Sequence, residues 1–379
     1  MKTTRRAAIA GALMAATAAA LPNRDGQSLA AAGKRRGIAF GTAMSRRAAR
    51  QDGAYATLVA SQSAIMVPEN ELKWYAIRPD PTTIDYSAAD DLLDWAEENR
   101  LAIRGHNLLW QVERRIPEWQ KSFDFGPDPK RAARQMMVEH IERTCRRYAS
   151  RIQSWDVVNE AIDPADGSLR TTSFSKAFGD SGEMVDLAFH LAKENLPAST
   201  ELVYNDFMNW EPSNEKHRAG VLRLLEGFRK RNVPVHALGI QGHLGGGGTT
   251  GNTNGAGGFG AHDERAWREF LDAVTAMNYR LLITEFDVND RFAVAPVAER
   301  DAQIAAYAKA FLDVSLSYPQ LHSVLLWGMS DNHTWLRGSG SGPRADGLPK
   351  RPCPYDDQLQ PKLLRDAIAA SLAAAPMRS

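Results

Sequence analysis

Cysteine is nearly missing from this chain, with two residues, Cys145 and Cys353, in 379. That is too few for a disulfide scaffold, and they lack the close spacing of a zinc site. They read as two separate thiols, with a bridge left open by sequence alone. No sign of charge prevails either. Lys plus Arg number 46 against 45 Asp plus Glu, a formal charge of +1. Such a balance supplies neither the counterion release that drives nucleic-acid binding nor a polybasic hold on anionic lipid. Long apolar runs are absent as well, since no segment reaches the ~20 residues that cross a bilayer. No phosphate-cradling GxGxxG follows the first strand. Neither a metal nor a cofactor is therefore expected, nor a nucleic-acid or membrane partner for the mature chain. What is present suffices for a full core: 44% of residues are hydrophobic and 24% charged, which excludes wholesale disorder.

The N-terminus, MKTTRRAAIAGALMAATAAALPN, has a basic start, a short apolar run and small residues at Ala18–Ala20 that suit a peptidase. Arg5 and Arg6 directly before the apolar run resemble the twin-arginine export signal. Residues 1–33 are therefore set aside as export signal and leader. The product is expected outside the cytoplasm, in the periplasm or beyond.

The remainder, 34–379, alternates strand and helix signals. Apolar β-type runs occur at 37–42, 63–67, 101–109, 152–158, 201–205, 237–241, 281–285 and 323–327. Stretches of helical period follow, among them 88–100, 129–148, 213–231, 263–277 and 299–317. Asp263, and Ser213 two residues before Glu215, have the chemistry of helix starts. Although ~150 residues per domain is the usual rule, eight such units predict an α/β fold of one kind, a single (β/α)8 TIM barrel. The run GGGGTTGNTNGAGG (Gly245–Gly258) reads as a mobile insertion after the sixth strand, because the barrel rhythm resumes beyond it.

In such a barrel the carboxyl ends of the strands form the mouth where barrel enzymes work. Polar residues gather at nearly every one: PENELKW (Pro68–Trp74), RGHNLLWQ (Arg104–Gln111), WDVVNE (Trp155–Glu160), VYNDF (Val203–Phe207), GIQGHL (Gly239–Leu244), ITEFDV (Ile283–Val288) and LLWGMSDNHTW (Leu325–Trp335). Glu160 and Glu285 stand at the tips of very hydrophobic strands, four and seven, across the mouth from one another. Either alone could cap a helix or pair an arginine. Two carboxylates flanking a cleft are what glycoside hydrolysis requires, one protonated to release the leaving alcohol and one ionised to meet the cationic centre. Trp74, Trp110, Trp327 and Trp335 offer flat faces for sugar rings. Asn70, Lys73, His106, Asn159, Gln241 and His243 offer donors to hydroxyls.

With ENELKW, RGHNLLW, WDVVNEA, DGSLR, SFSKAFG, YND, GIQGHL, ITEFDV and WGMSDNHTW in this order from about Gly41 to Lys362, the chain resembles glycoside hydrolase family ten, the endo-β-1,4-xylanases. The resemblance implies retaining cleavage of internal bonds in xylan and xylo-oligosaccharides by a monomeric barrel. It makes Glu160 the general acid/base and Glu285 the nucleophile. It places Asn159 on the sugar 2-hydroxyl, and Glu69, Asn70, Lys73, His106, Trp110, Gln241, His243, Trp327 and Trp335 along the glycone. Asp287 is expected to orient His243, with Asn205 and Gln111 in support.

Gln111 stands where the family usually has histidine, and a glutamine cannot titrate. The charges of Glu113, Arg114 and Arg115 could read an acidic branch, but a solvated loop is the simpler reading. A metal-dependent hydrolase built on His106, Asp206, His243, Glu285 and Asp287 is the weaker alternative, for want of an early His-x-His pair. A barrel that only binds polysaccharide is disfavoured by the presence of both glutamates.

Overall fold

In a computed structural model of the chain, the alternating runs form eight parallel strands that close on themselves. The structure describes residues 28–246, 259 and 261–378. In chain order the strands are β1 (Ala39–Met44), β2 (Ile65–Pro68), β3 (Ala102–Trp110), β4 (Ser154–Asn159), β5 (Glu201–Asp206), β6 (Ala237–Ile240), β7 (Arg280–Val288) and β8 (Leu321–Leu326). Each pairs with its successor, and Ala39 opposite Ser323 joins β8 back to β1. Ala237 opposite Arg280 joins β6 to β7. This is the single (β/α)8 barrel that the sequence predicts. Its closure leaves no strand edge open.

Alternation along the strands sorts side chains into two layers. One set packs inside the barrel, with Ala43, Ile65, Val67, Leu325 and Trp327 in one cluster and Val203, Ala237 and Leu282 in another. The other set, including Phe40, Met66, Ile103, Leu238 and Ile283, joins the helices in the main core. Register shifts interrupt three ladders, between His106 and Leu109, between Asp156 and Val158, and between Ile283 and Phe286. Irregularities of this kind re-aim side chains at strand ends, and these flank the polar clusters.

The helix Pro129–Tyr148 has the limits that the sequence predicts, and Leu363–Ala374 forms the last helix. Asp263 caps its helix by accepting from the Ala266 N–H at 2.9 Å, as expected. Ser213 does not start a helix. Pro212 fixes φ there, a 3₁₀ turn occupies Pro212–Asn214, and Asn214 precedes the α-helix Glu215–Lys230 without a side-chain cap bond.

The fold also begins earlier than the leader boundary allows. Leu29–Lys34 is a helix capped by Ser28, with Leu29 fully buried, and it packs on β1 and on the helix Leu363–Ala374. Its sequence, LAAAGK, has the same alanine-rich texture as the leader, so composition marks no border. The export signal and residues 247–258 of the Gly-rich run lie outside the described residues. Both cysteines are buried and free. Among the described residues no helix is long and apolar enough to cross a membrane.

Candidate active site

The tips of β4 and β7 bring Glu160 and Glu285 into one enclosed pit, with 9% and 5% of their surfaces exposed. A bridge of amides connects them. Gln241 Nε2 donates to Glu160 Oε1 at 3.0 Å, and Asn159 Nδ2 reaches the same oxygen at 3.3 Å. Asn205 Nδ2 donates both to Asn159 Oδ1 and to Glu285 Oε1, each at 2.8 Å. Thr284 Oγ1 fixes the other end of Asn205 at 2.7 Å. That amide is pressed against Gly239, where a Cβ would sit 2.3 Å from Asn205 Oδ1, so β6 needs glycine at this point.

Two histidines flank Glu285. His243 Nε2 lies 3.3 Å from Glu285 Oε2, while its Nδ1 meets Asp287 Oδ1 at 2.9 Å. The Trp335 indole donates to Asp287 Oδ2 at 2.8 Å, locking the carboxylate that holds the histidine. On the other side His106 Nδ1 is 3.9 Å from Glu285 and 2.9 Å from Asp156 Oδ2. Lys73 Nζ donates to Asn70 Oδ1 at 3.1 Å and lies over the rings of Trp110 (4.7 Å) and Trp327 (5.6 Å). Glu69 borders the same wall, and Trp335, 39% exposed, offers a face at the rim.

The surroundings drive the two glutamates apart in acidity. Burial pushes the Glu160 carboxyl up, and the negative charges of Asp206 and Glu285 add to that against the opposing Gln241 hydrogen bond. Burial would raise Glu285 too, but His106, His243 and Lys73 hold it down at about 2. His243 is raised to about 10 because Asp287 and Glu285 outweigh its burial. Burial brings Lys73 down to about 8. The pit thus pushes one carboxyl toward its acid form and holds the other as an anion, which suits proton donation and nucleophilic attack at one centre.

Fifteen residues were predicted for the site, and the structure gathers all but Gln111 around this pit. Gln111 is fully buried. Its backbone N–H serves Asn159 O at 3.0 Å, but its side chain faces Thr172 Oγ1 at 3.5 Å. Trp74 is not a sugar platform. It stacks on His140 with ring centroids 3.9 Å apart, inside the helical layer. The charged loop after β3 is only partly solvated, since Arg115 sits 4.8 Å over Trp110 and Glu113 accepts from Ser173 N at 2.7 Å. Among the described residues no group of three His, Cys, Asp or Glu could hold a metal. Asp206 instead pairs with Tyr204 and His217. Sequence reasoning missed Asp156, Arg104 and Thr284. Arg104 Nη1 grips Asp156 Oδ2 at 2.9 Å inside the barrel, and Asp156 in turn holds His106. The signal for Asp156 was available, as a charged residue two before Val158 on an otherwise apolar strand.

The sequence pattern of glycosyl hydrolase family 10 matches residues 28–371. The beta-1,4-xylanase of Dictyoglomus thermophilum is 28% identical over 297 residues, covering 74% of this chain and 75% of that one. Endo-1,4-beta-xylanase 3 of Hypocrea jecorina is 29% identical over 303 residues, with 80% and 76% covered. Among solved structures, native xylanase 10B from Thermotoga maritima superposes with a TM-score of 0.78 at 24% identity, over 91% of this chain and 98% of that one.

Proposed function

We propose, from the premise that this chain belongs to glycosyl hydrolase family 10, that it is an endo-β-1,4-xylanase acting on xylan and xylo-oligosaccharides with retention of configuration. The observation that carries this reading is the opposed acidity of Glu160 and Glu285 within one amide-bridged pit. Its substrate is inferred from the relatives, which carry xylanase names.

In the first step the Glu285 carboxylate attacks the anomeric carbon, and the bond to the leaving oxygen breaks as Glu160 gives that oxygen its proton. The product is a glycosyl ester on Glu285. In the second step water attacks the same carbon, Glu160 takes the proton, and the Glu285 carboxylate leaves. Two inversions give net retention, which calls for a carboxyl separation of ~5–5.5 Å. Asn205 and His243 hold Glu285 in position for both steps. His106, Lys73 and Asn70 serve ring hydroxyls, and Trp110, Trp327 and Trp335 serve ring faces.

The deciding experiment follows the products of xylan and of carboxymethyl cellulose by NMR from the first seconds. The β anomer of short xylo-oligosaccharides should appear first. First appearance of the α anomer would overturn retention, and faster turnover of the cellulose derivative would overturn the substrate. Export is proposed on the leader alone. Replacing Arg5 and Arg6 by lysine should block it by the twin-arginine route.

A further inference from the structure

A sizeable open space at the mouth lies beside the pit. A cavity of about 510 Å³ runs from Glu69, Trp327 and Trp335 to the segment after β1, where Ser45, Arg47 and Gln51 line it. That volume falls in the ~300–1,000 Å³ range of sites for small ligands. Most of the charges along it have a partner or an opposite charge close by. Asp52 accepts from Tyr55 N at 3.0 Å and lies 3.0 Å from His333 Nε2. Glu69 faces Lys73. Arg46 and Arg50, on the same helix as Arg47 (Arg46–Gln51), are both held by Asp91, at 2.6 and 2.9 Å. Arg47 is exposed and has no hydrogen bond or ion pair among the described residues. A neighbouring hollow of about 400 Å³ shares Arg47 and Gln51 and is lined also by Arg46, Arg50 and Glu71. There Arg46 and Arg50 are neutralised by Asp91, which leaves Arg47 as its unpaired cation among the described residues.

An unbranched xylan carries no charge and offers this guanidinium hydroxyls but no anionic partner. We infer that the cavity receives an acidic branch, a uronic acid joined to the main-chain ring seated against Glu69 and Trp335, with Arg47 forking onto its carboxylate. The inference deepens the xylanase reading and rests on it. A planar guanidinium matches a carboxylate through two parallel N–H bonds, which an ammonium or a neutral amide cannot reproduce. Ser45, Gln51 and Asn332 line the same cavity and can meet the branch hydroxyls. In the charged loop after β3, Arg115 lies over Trp110 and Glu113 accepts from Ser173, and Arg114, though exposed, does not line this cavity.

The test uses the full mature enzyme and three xylo-oligosaccharides of equal length: one with a single glucuronic acid branch, the same with its carboxyl reduced to the alcohol, and one unbranched. The wild type should prefer the acidic compound to the reduced one. Arg47→Gln should lower the ratio of kcat/KM for acidic over unbranched substrate by about tenfold, as expected for one charged hydrogen-bonding partner. Arg47→Lys should lower it less, and salt should erode the wild-type preference. An unchanged ratio in Arg47→Gln, or a wild type indifferent to carboxyl reduction, would overturn the proposal. Failure of the wild type to cleave the unbranched compound would strike the xylanase reading instead. In that case calorimetric titration of the acidic oligosaccharide still decides on Arg47, equal affinity for wild type and Arg47→Gln rejecting it.

Discussion

Glu160 holds a backbone φ of 55°, a left-handed conformation that costs any residue with a Cβ about 1–2 kcal/mol. The surroundings keep it there. Its N–H donates to Asn205 O at 2.9 Å, and Gln241 and Asn159 hold the carboxyl end. Glu160→Gly and Glu160→Ala delete the same carboxyl and differ only at Cβ. The glycine variant should therefore be the more stable, by about 1 kcal/mol in denaturant unfolding. Equal stability would mean that the strain is relieved elsewhere. On activity, Glu160→Ala should lose far more on xylan than on aryl xylosides, whose good leaving groups need little protonation. Equal loss on both would refute the acid role. The Asp287–His243–Glu285 chain makes a third prediction. Glu285 must be ionised, so the acid limb of kcat/KM reports its titration, and the His243 charge is among the groups holding that down. Asp287→Asn removes the main influence that keeps His243 protonated. Once His243 is neutral, Glu285 loses a cation, and the acid limb should move up by roughly one unit. An unmoved limb would show that His106 and Lys73 suffice.

At the scale of elements, the short helix Leu29–Lys34 tests how firmly the chain ahead of β1 belongs to the fold. Leu29 is fully buried, and its N–H is held by Gln62 Oε1 at 3.2 Å. Leu29→Ala should cost about 2–4 kcal/mol, read as a lowered unfolding midpoint without change in kcat. A surface-like loss under ~0.5 kcal/mol would return this helix to the leader. Sequence could not place it because an alanine-rich turn and an alanine-rich leader look alike until a partner helix buries one leucine. The eight strands, by contrast, were legible because each is a short apolar run ending in polar residues. Their limits moved by a few residues where a strand runs past its apolar part, as β7 does from Arg280 to Val288. The carboxylates and most of their partners were legible as well, since polar side chains at strand tips have nowhere to point but the mouth. Trp74 shows where that logic stops. It closes the same motif as Lys73, yet one residue further the chain has entered a helical turn and the ring faces His140. Asp156 marked itself as a charge on an apolar strand, but its role was hidden because it works through His106 and Arg104, and which partners it holds is not written in a linear pattern.

Across the whole barrel, buried charge has opposite consequences at the two ends. At the closed end Glu201, where β5 begins, accepts from Ser154 Oγ at 3.1 Å and pairs with His322 (3.0 Å) and Arg280 (2.8 Å). Burial alone would raise it, but His322 and Arg280 hold it at about 2, below its ordinary 4.5. A carboxyl depressed by folding lends stability above its unfolded value and loses it as pH falls through the folded one. For Glu201 that contribution is complete above about 4.5 and vanishes toward about 2. Glu160 at the mouth has the reverse sign. Raised by folding, it costs nothing at low pH and destabilises the fold as pH climbs from its ordinary range through its elevated one. The site's acidity is therefore maintained at the expense of stability once pH passes the raised range of Glu160, against a base that supports the fold at neutral pH. Glu201→Gln should cost about 2–3 kcal/mol at pH 7, the exposed part of Arg280 limiting the loss, and the difference from wild type should shrink by pH 3. Glu160→Gln should move the opposite way, gaining stability relative to wild type as pH rises from the ordinary range of Glu160 through its elevated one. Melting curves of the three proteins from pH 3 to 9 check both signs at once. Parallel curves across that range would mean that the carboxyl charges contribute equally at both ends, and that the division of labour between base and mouth is wrong.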